Sequence, residues 1–233
     1  MKTVMQQSKE KNDLIFGIKR AIPIVFGYIP VGFAMGVTAS NTGLTPFETG
    51  LMSVFVYAGS AQFVAIDMIR SNASFIAIII TTFLVNLRHL LFSASLAPHF
   101  RHIKQKLILI ISFFITDESF AVSITDAEQG FLSHSYYLGL YMTAYLSWIL
   151  STVIGAAFGN LIPDTKALGF DFALPGMFLA LLCMQLKNIK FIFVSLISGL
   201  LSIILIYLMP GNWNVILAAI IAAVIGVFID DED

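Results

Sequence analysis

The chain has 233 residues and a formal net charge of −1; 58% of its residues are hydrophobic and only 12% are charged. Soluble domains carry about 25% charged residues, so this composition, with a mean hydropathy of +0.89, excludes an ordinary soluble domain. The balanced charge provides no basic surface for nucleic acid, and the single cysteine, Cys183, excludes an internal disulfide and a cysteine metal cluster. We expect no metal, no cofactor and no nucleic-acid partner.

The apolar residues are gathered into eight runs of roughly 15–25 residues, the length that a ~30 Å hydrocarbon core requires of a helix. In chain order the runs are 21–39, 50–68, 75–97, 107–125, 136–160, 172–186, 191–209 and 213–229. We expect one all-α, multi-pass domain over residues 1–233, embedded in the cytoplasmic membrane. The first run contains two prolines, and we expect it to be retained as a membrane helix and not cleaved as a signal.

The distribution of Lys and Arg favours two segments that enter and leave the membrane on the same side. If all eight runs cross, eight loop and terminal Lys and Arg lie inside and four lie outside, against the positive-inside rule. If the second and sixth runs are re-entrant, eleven lie inside and only Arg70 lies outside. The sequence therefore favours about six full spans plus two broken or re-entrant segments, with seven or eight plain spans as the alternative.

Residues that break helices lie in the same two segments. Gly59 interrupts the second segment, and Pro175 and Gly176 interrupt the sixth, which has only 15 residues, 172–186. Such breaks are tolerated at membrane depth where protein or a cavity covers the freed backbone. We therefore predict helix breaks at these three residues.

The chain also resembles itself at an offset of 123 residues, with eight identities in the 31 positions from Gly32 to Gln62. The offset pairs segments one and two with segments five and six, to which the charge-based topology gives opposite orientations. We interpret this as an inverted repeat with halves at about 17–97 and 136–209, a common plan of secondary transporters. Accidental similarity between plain spans is the alternative.

Charged side chains lie at the centres of two neighbouring segments. Asn86, Arg88 and His89 interrupt the third segment, and Asp117 and Glu118 interrupt the fourth. A charge at the bilayer centre costs about 2.5–3.5 kcal/mol on insertion scales, so we expect Arg88 to pair with one of the two acids. Arg88 is also a candidate for binding a substrate carboxylate. Asp117, Glu118 and His89 are candidates for loading and releasing a proton, and a purely structural ion pair is the alternative.

Two polar stripes at helical spacing accompany these charges. One comprises Thr82, Asn86, His89 and Ser93 on the third segment, and the other comprises Ser112, Thr116, Ser119 and Ser123 on the fourth. They predict a polar path between the segments, although small hydroxyl residues also serve as packing contacts between membrane helices. Because its amide lies on the first stripe, we take Asn86 as a candidate substrate-binding residue.

Gln62 and Gln185 occupy equivalent positions of the repeat, near the ends of the second and sixth segments. Their amides are candidates for hydrogen-bonding a substrate, or they satisfy loop backbone groups. The repeat also contains two GxxxG motifs, Gly32-Phe-Ala-Met-Gly36 and Gly155-Ala-Ala-Phe-Gly159, which favour close helix packing.

Several of these stretches together resemble one family. They are Gly27-Tyr-Ile-Pro-Val-Gly-Phe-Ala-Met-Gly36, Tyr57-Ala-Gly-Ser-Ala-Gln-Phe63, Asn86-Leu-Arg-His-Leu-Leu91 with Ser93-Ala-Ser-Leu-Ala-Pro98, Thr116-Asp-Glu-Ser-Phe120 and Asp171-Phe-Ala-Leu-Pro175. From about Gly17 to Gly226 the sequence resembles the AzlC family, the large subunit of branched-chain amino-acid exporters. The resemblance implies export of valine, leucine or isoleucine, in some members methionine, together with a small AzlD-type membrane subunit.

We therefore expect a proton-coupled secondary transporter and not an enzyme. A membrane scaffold subunit without transport of its own is one alternative. An intramembrane hydrolase that uses Ser60 and His89 is another, although this serine lacks a recognisable nucleophile motif.

Overall fold

The computed structural model describes residues 2–101, 103–130, 133–162, 188–208 and 213–228, and isolated residues between 169 and 186. Residues 1–177 and 178–233 form two compact units. In the described ranges of both units, every regular element is a helix. The all-α fold class is confirmed.

The first unit is built from eight α-helices in its described part. They are α1 (Lys2–Asn41), α2 (Pro46–Phe55), α3 (Gly59–Arg70), α4 (Phe75–Asn86), α5 (Arg88–Leu96), α6 (Gln105–Phe113), α7 (Asp117–Gln129) and α8 (His134–Phe158). Short 3-10 turns follow α5 at Ala97–Phe100 and α8 at Gly159–Leu161. The second unit contains α9 (Ile189–Ile206) and α10 (Trp213–Phe228), which pack against each other.

Four helices of the described chain are long and apolar enough to cross a membrane. They are Lys11–Asn41, Phe75–Phe100, His134–Phe158 and Ile189–Ile206, and Leu217–Phe228 is a shorter apolar helix. The second of these runs through α4 and α5, which are separated only by Leu87 in a right-handed helical conformation. These lengths and compositions support a multi-pass membrane protein.

Helices α1 and α8 lie side by side and run in the same direction. Near the start of α8, a Cβ at Gly17 would lie 2.1 Å from the backbone oxygen of Tyr136. Near its end, a Cβ at Gly36 would lie 2.1 Å from the backbone oxygen of Thr152. Both positions leave no space for a side chain, so the two backbones are in contact along most of their lengths.

Both GxxxG motifs lie in this contact. A Cβ at Gly155 would lie 2.2 Å from the backbone oxygen of Phe33, and a Cβ at Gly159 would lie 2.5 Å from Cβ of Ser40. Glycine at these positions permits the close approach, as such motifs do between membrane helices. The glycines of both motifs therefore pack against the facing helix inside this chain.

A contact of the 3-10 turn that follows α5 identifies the two ends of the α1–α8 pair. The rings of Phe100 and Tyr137 are 4.8 Å apart, so the span that starts at Phe75 ends beside the start of α8. We call this the basic end, because α1 carries Lys19 and Arg20 there, and the end near residues 41 and 158 the far end. The loop at 98–106 therefore lies at the basic end, in agreement with the charge distribution.

Residues 46–70, which we call hairpin A, begin at the far end. Thr45 caps α2, and its hydroxyl and N–H donate to the carboxylate of Glu48, which lowers the pKa of that acid. A Cβ at Gly50 would contact Val153 near the far end of α8. At the other end of α2, Gly59 lies against the ring of Trp148, about halfway along α8.

The chain then reverses between α2 and α3. Three residues, 56–58, are not helical, and Nε2 of Gln62 donates to Oγ of Ser53 at 3.1 Å, which requires a sharp turn between them. Helix α3 packs against α4, which begins at the far end. Hairpin A is thus broken just before Gly59, and it enters and leaves the unit at the far end.

Residues 105–129, which we call hairpin B, enter from the basic end. Helix α6 follows the loop at the basic end, and the ring of Phe114, directly after it, is 5.0 Å from that of Tyr145, towards the middle of α8. Helix α7 returns to the basic end, where the carboxylate of Asp126 binds Arg20 and Tyr136. The fourth segment was expected to cross the membrane, and the structure shows that it turns back.

A local signal explains this difference. Thr116 caps α7 through a capping box with Ser119, and this arrangement starts a new helix after the non-helical residues 114–116. Because the fourth segment turns back, α8 runs parallel to α1. An inverted repeat of 17–97 with 136–209 would require these two helices to be antiparallel. Within the first unit, it is hairpins A and B that enter from opposite ends. Pro175 and Gly176 are helical, but their neighbours lie outside the described residues.

Candidate functional site

The broken tips of the two hairpins meet about halfway along α1 and α8 and enclose a small polar cavity. Its volume is about 10 Å³, room for about one water molecule. It is lined by Tyr28, Tyr57, Ala58, Gly59, Ser60, His89, Thr116, Asp117, Glu118 and Trp148. Charged and hydroxyl groups therefore converge at the middle of a helical membrane unit.

Arg88 connects the two hairpins beside this cavity, through one lining residue of each. Its Nη1 lies 2.8 Å from Oδ1 of Asp117 on hairpin B, and its Nη2 donates to Oγ of Ser60 on hairpin A. The side chains of Arg88 and Asp117 are 21% and 13% exposed, so their ion pair is largely shielded from solvent. The sequence left open which acid pairs with Arg88, and the structure selects Asp117.

Glu118 binds hydroxyl groups. The hydroxyl of Tyr28 donates to Oε2 of Glu118 at 2.8 Å and is also 2.7 Å from Oγ1 of Thr116. The two adjacent acids therefore have different surroundings, since Asp117 faces a guanidinium and Glu118 faces a phenol. This difference suits two separate roles.

The tips of the hairpins also differ in polarity. Helix α7 has Thr116 as its cap and two acids in its first turn, which offset the positive end of the helix dipole. Helix α3 follows Ala58, which provides no side-chain cap, so the positive end of α3 lacks a side-chain acceptor. We call residues 56–58 with the start of α3 tip A, and residues 114–116 with the start of α7 tip B. Tip A is therefore electropositive and tip B is electronegative.

Tyr57 and Asn86 each have a buried polar atom near the tips without a hydrogen-bond partner among the described residues. These atoms are the hydroxyl of Tyr57 and Oδ1 of Asn86. Tyr57 is 5% exposed and lines the cavity. Asn86 is the last residue of α4, directly before the kink at Leu87, and lies outside the cavity wall.

Gln62 supports the cavity wall without lining it. Its Oε1 accepts from Nε1 of Trp148 at 2.8 Å, and its Nε2 donates to Ser53, which in turn is 2.8 Å from Oγ1 of Thr152. The side chain is fully buried. Its direct role in this structure is to hold Trp148, and its proposed repeat equivalent, Gln185, lies outside the described residues.

His89 lines the cavity and its ring packs edge-on against Phe92, with the ring centroids 5.8 Å apart. Ser60 shares the cavity, and its Oγ accepts from Arg88. Among the described residues, no group of three or more His, Cys, Asp or Glu could hold a metal ion. The cavity wall thus contains His89, Asp117 and Glu118 of the predicted site. Arg88 lies beside the wall and contacts it through Asp117 and Ser60.

Three aromatic residues of the wall, Tyr28, Tyr57 and Trp148, escaped the sequence prediction. A signal was present, because phenol and indole groups in the interior of a membrane helix need hydrogen-bond partners. It was weak, since the chain contains 13% aromatic residues, most of them in apolar runs.

These features define a multi-pass membrane protein with a small, charged site between two opposed hairpins. The family model described as AzlC protein matches residues 23–162, which include both hairpins, all of α8 and about half of α1. The chain belongs to the AzlC family. The resemblance seen in the sequence is confirmed.

Individual relatives agree with this assignment. The chain is 31% identical over 173 residues to the inner membrane protein YgaZ of Escherichia coli strain K12, covering 71% of this chain and 70% of the relative. It is 27% identical over 208 residues to the branched-chain amino acid transport protein AzlC of Bacillus subtilis strain 168, covering 88% and 80%. An uncharacterized membrane protein of Archaeoglobus fulgidus is 36% identical over 174 residues, covering 74% and 75%. No solved structure matches the chain.

Proposed function

We propose that this chain is a secondary transporter that exports valine, leucine and isoleucine, and also methionine, across the cytoplasmic membrane. The family assignment and the name of the Bacillus subtilis relative, a branched-chain amino acid transport protein, support the substrate class. Proton coupling and a small AzlD-type partner subunit are parts of the proposal. The role is transport and not enzymatic catalysis.

The bridge from Ser60 through Arg88 to Asp117 is the observation that carries the proposal. It joins two hairpins that cover the same cavity from opposite ends of the unit. A cavity of about 10 Å³ cannot hold an amino acid, so a hairpin must move before substrate enters. Movement of hairpin A opens the site to the far end, and movement of hairpin B opens it to the basic end.

The charges of the cavity suit a zwitterion. Arg88 and the uncapped start of α3 favour a carboxylate, and the acids at the start of α7 favour an ammonium group. The rings of Tyr28 and Trp148, 5.0 Å apart, provide apolar surface for a branched side chain. Export against a concentration gradient requires coupling to an energy source. Protonation of a buried carboxylate couples transport to a proton gradient.

The test is counterflow of radiolabelled amino acids in proteoliposomes. Vesicles that contain this chain with its small subunit should accumulate labelled valine, leucine, isoleucine and methionine against unlabelled leucine, but not labelled lysine. Vesicles with the chain alone should show little counterflow. Counterflow by the small subunit alone, with none added by this chain, would assign this chain the role of a scaffold.

Arg88→Ala should abolish counterflow while the protein still inserts, because it removes the cation that faces both hairpin tips. Arg88→Lys should restore only part of it, since a point charge lacks the planar fork of arginine. Arg70→Ala is the matched control, because Arg70 pairs with Asp67 at a highly exposed position. Normal leucine counterflow by Arg88→Ala would contradict the location of the site.

A further inference from the structure

The hydroxyl of Tyr57 is the feature of the cavity that the proposed function leaves unexplained. It is fully shielded from solvent, accepts and donates no hydrogen bond among the described residues, and belongs to the cavity wall. A buried hydroxyl without a partner costs about 1–3 kcal/mol. A cost of that size in the middle of a helical unit indicates a group that is paired in another state of the protein.

The neighbours of Tyr57 define the chemistry of that missing partner. Tyr57 directly precedes Ala58, the N-cap residue of α3, which provides no side-chain cap. The first amide groups of α3 are the positive end of a 12-residue helix. Ser60, on the first turn, accepts from the guanidinium of Arg88. The helix amides and the guanidinium can only donate, and the hydroxyl can also donate, so the group that fits among them is an anion with several acceptor atoms.

Resting on the proposed function, we infer that the carboxylate of the amino-acid substrate binds at tip A, between the Tyr57 hydroxyl, the first amides of α3 and Arg88. Binding there takes Arg88 away from Asp117, which frees that acid to face the substrate ammonium group. The substrate therefore lies with its carboxylate towards hairpin A and its ammonium group towards hairpin B. Tyr57 is a binding residue for the carboxylate alone.

Two leucine analogues test the binding of the carboxylate and of the ammonium group separately. Isopentylamine lacks the carboxylate of leucine, and 4-methylpentanoate lacks its ammonium group. In proteoliposomes with both subunits, each analogue is tested as a competitor of labelled leucine. Tyr57→Phe should weaken the binding of leucine and of 4-methylpentanoate by about tenfold, the effect of one hydrogen bond to a charged group. It should leave the binding of isopentylamine unchanged.

Tyr145→Phe is the matched control, because the hydroxyl of Tyr145 donates to the backbone oxygen of Val54 outside the cavity wall. It should leave the ranking of the three compounds unchanged. Ala58→Asp gives a second test that keeps the fold, since aspartate is a favourable helix cap and places a tethered carboxylate at the proposed subsite. It should abolish competition by 4-methylpentanoate and preserve competition by isopentylamine.

The outcomes distinguish the inference from the proposed function. If wild-type protein takes up leucine but Tyr57→Phe weakens isopentylamine as much as 4-methylpentanoate, the inference is wrong and the transporter remains. Unchanged leucine affinity in Tyr57→Phe, or unimpaired 4-methylpentanoate competition in Ala58→Asp, would also overturn it. If wild-type protein shows no leucine counterflow, both the proposed function and the inference fall.

Discussion

Asp126 of hairpin B binds two nitrogens on one edge of the guanidinium of Arg20, on α1. Nε of Arg20 is 2.7 Å from Oδ2 of Asp126, Nη2 donates to Oδ1, and the hydroxyl of Tyr136 also donates to Oδ2. Asp126 is only 7% exposed. The contact ties the end of α7 to the basic ends of α1 and α8. In the proposed transport cycle, movement of hairpin B requires that this contact break.

The first prediction is that Asp126→Ala destabilises the protein. The change removes three charge-assisted hydrogen bonds and leaves the Tyr136 hydroxyl without its acceptor, at a cost of about 1.5–3 kcal/mol. Thermal unfolding of purified protein in detergent measures the effect. Asp67→Ala is the control, because Asp67 pairs with Arg70 at 2.8 Å but is 64% exposed, and such pairs contribute about 0–1 kcal/mol. Equal losses in the two variants would contradict a buried contact at the basic end.

The second prediction concerns topology and uses three single cysteines in a background without Cys183. Lys104→Cys and Gln129→Cys should both react from the cytoplasmic side, because hairpin B enters and leaves at the basic end. Ser71→Cys should react from the opposite side, since hairpin A returns to the far end. A membrane-impermeant maleimide applied to intact cells and to inverted vesicles measures this.

Each alternative topology gives a different pattern for the same three positions. Eight plain spans place Ser71 and Gln129 inside and Lys104 outside. A re-entrant second segment followed by a crossing fourth segment places Ser71 and Gln129 together on the outside. Labelling of Gln129→Cys from the outer side would therefore rule out hairpin B.

The third prediction concerns the contact between α1 and α8. Gly36→Ala should lower the yield of folded protein, because the added Cβ would lie 2.1 Å from the backbone oxygen of Thr152 and the helices must separate. Overpacking of this kind costs about 1–3 kcal/mol. Gly27→Ala, on the same helix, has nothing within 4 Å of the added Cβ and should be neutral or slightly stabilising. Size-exclusion chromatography in detergent measures the yield of folded protein for the two variants. Equal yields would contradict close packing at Gly36.

Some of this architecture is predictable from sequence because its signals are local. A charge inside an apolar run requires a partner, so the pairing of Arg88 with an acid of the fourth segment follows from cost alone. The clustering of Lys and Arg likewise predicts that the basic start and the loop at 98–106 share one end. GxxxG motifs predict a close helix contact, although not the identity of the two helices.

Hairpin B could not be predicted as readily. Thr116, Ser119 and Ser123 have the spacing of a polar stripe on one continuous helix, and the same Thr116 and Ser119 form the capping box that starts α7. One pattern thus fits both a straight span and a break. Tertiary contacts decide between them, because Asp126 reaches Arg20 only if α7 turns back. The parallel course of α1 and α8 follows from that reversal.

The last prediction assigns different roles to the two neighbouring acids. Glu118 should be the proton-coupling residue, because its partner, the hydroxyl of Tyr28, can donate to a carboxylate and can also accept from a protonated acid. Asp117 is instead paired with Arg88, whose guanidinium can only donate to it. Glu118→Gln should therefore preserve leucine exchange and abolish its response to an imposed pH gradient, whereas Asp117→Asn should reduce exchange itself. Leucine counterflow and gradient-driven uptake, measured in the same proteoliposomes, separate the two effects. Glu48→Gln is the control, because Glu48 lies at the far end, where its carboxylate accepts from Thr45, the cap of α2. It should keep both activities. A pH-driven response that survives in Glu118→Gln and disappears in Asp117→Asn would reverse the assignment.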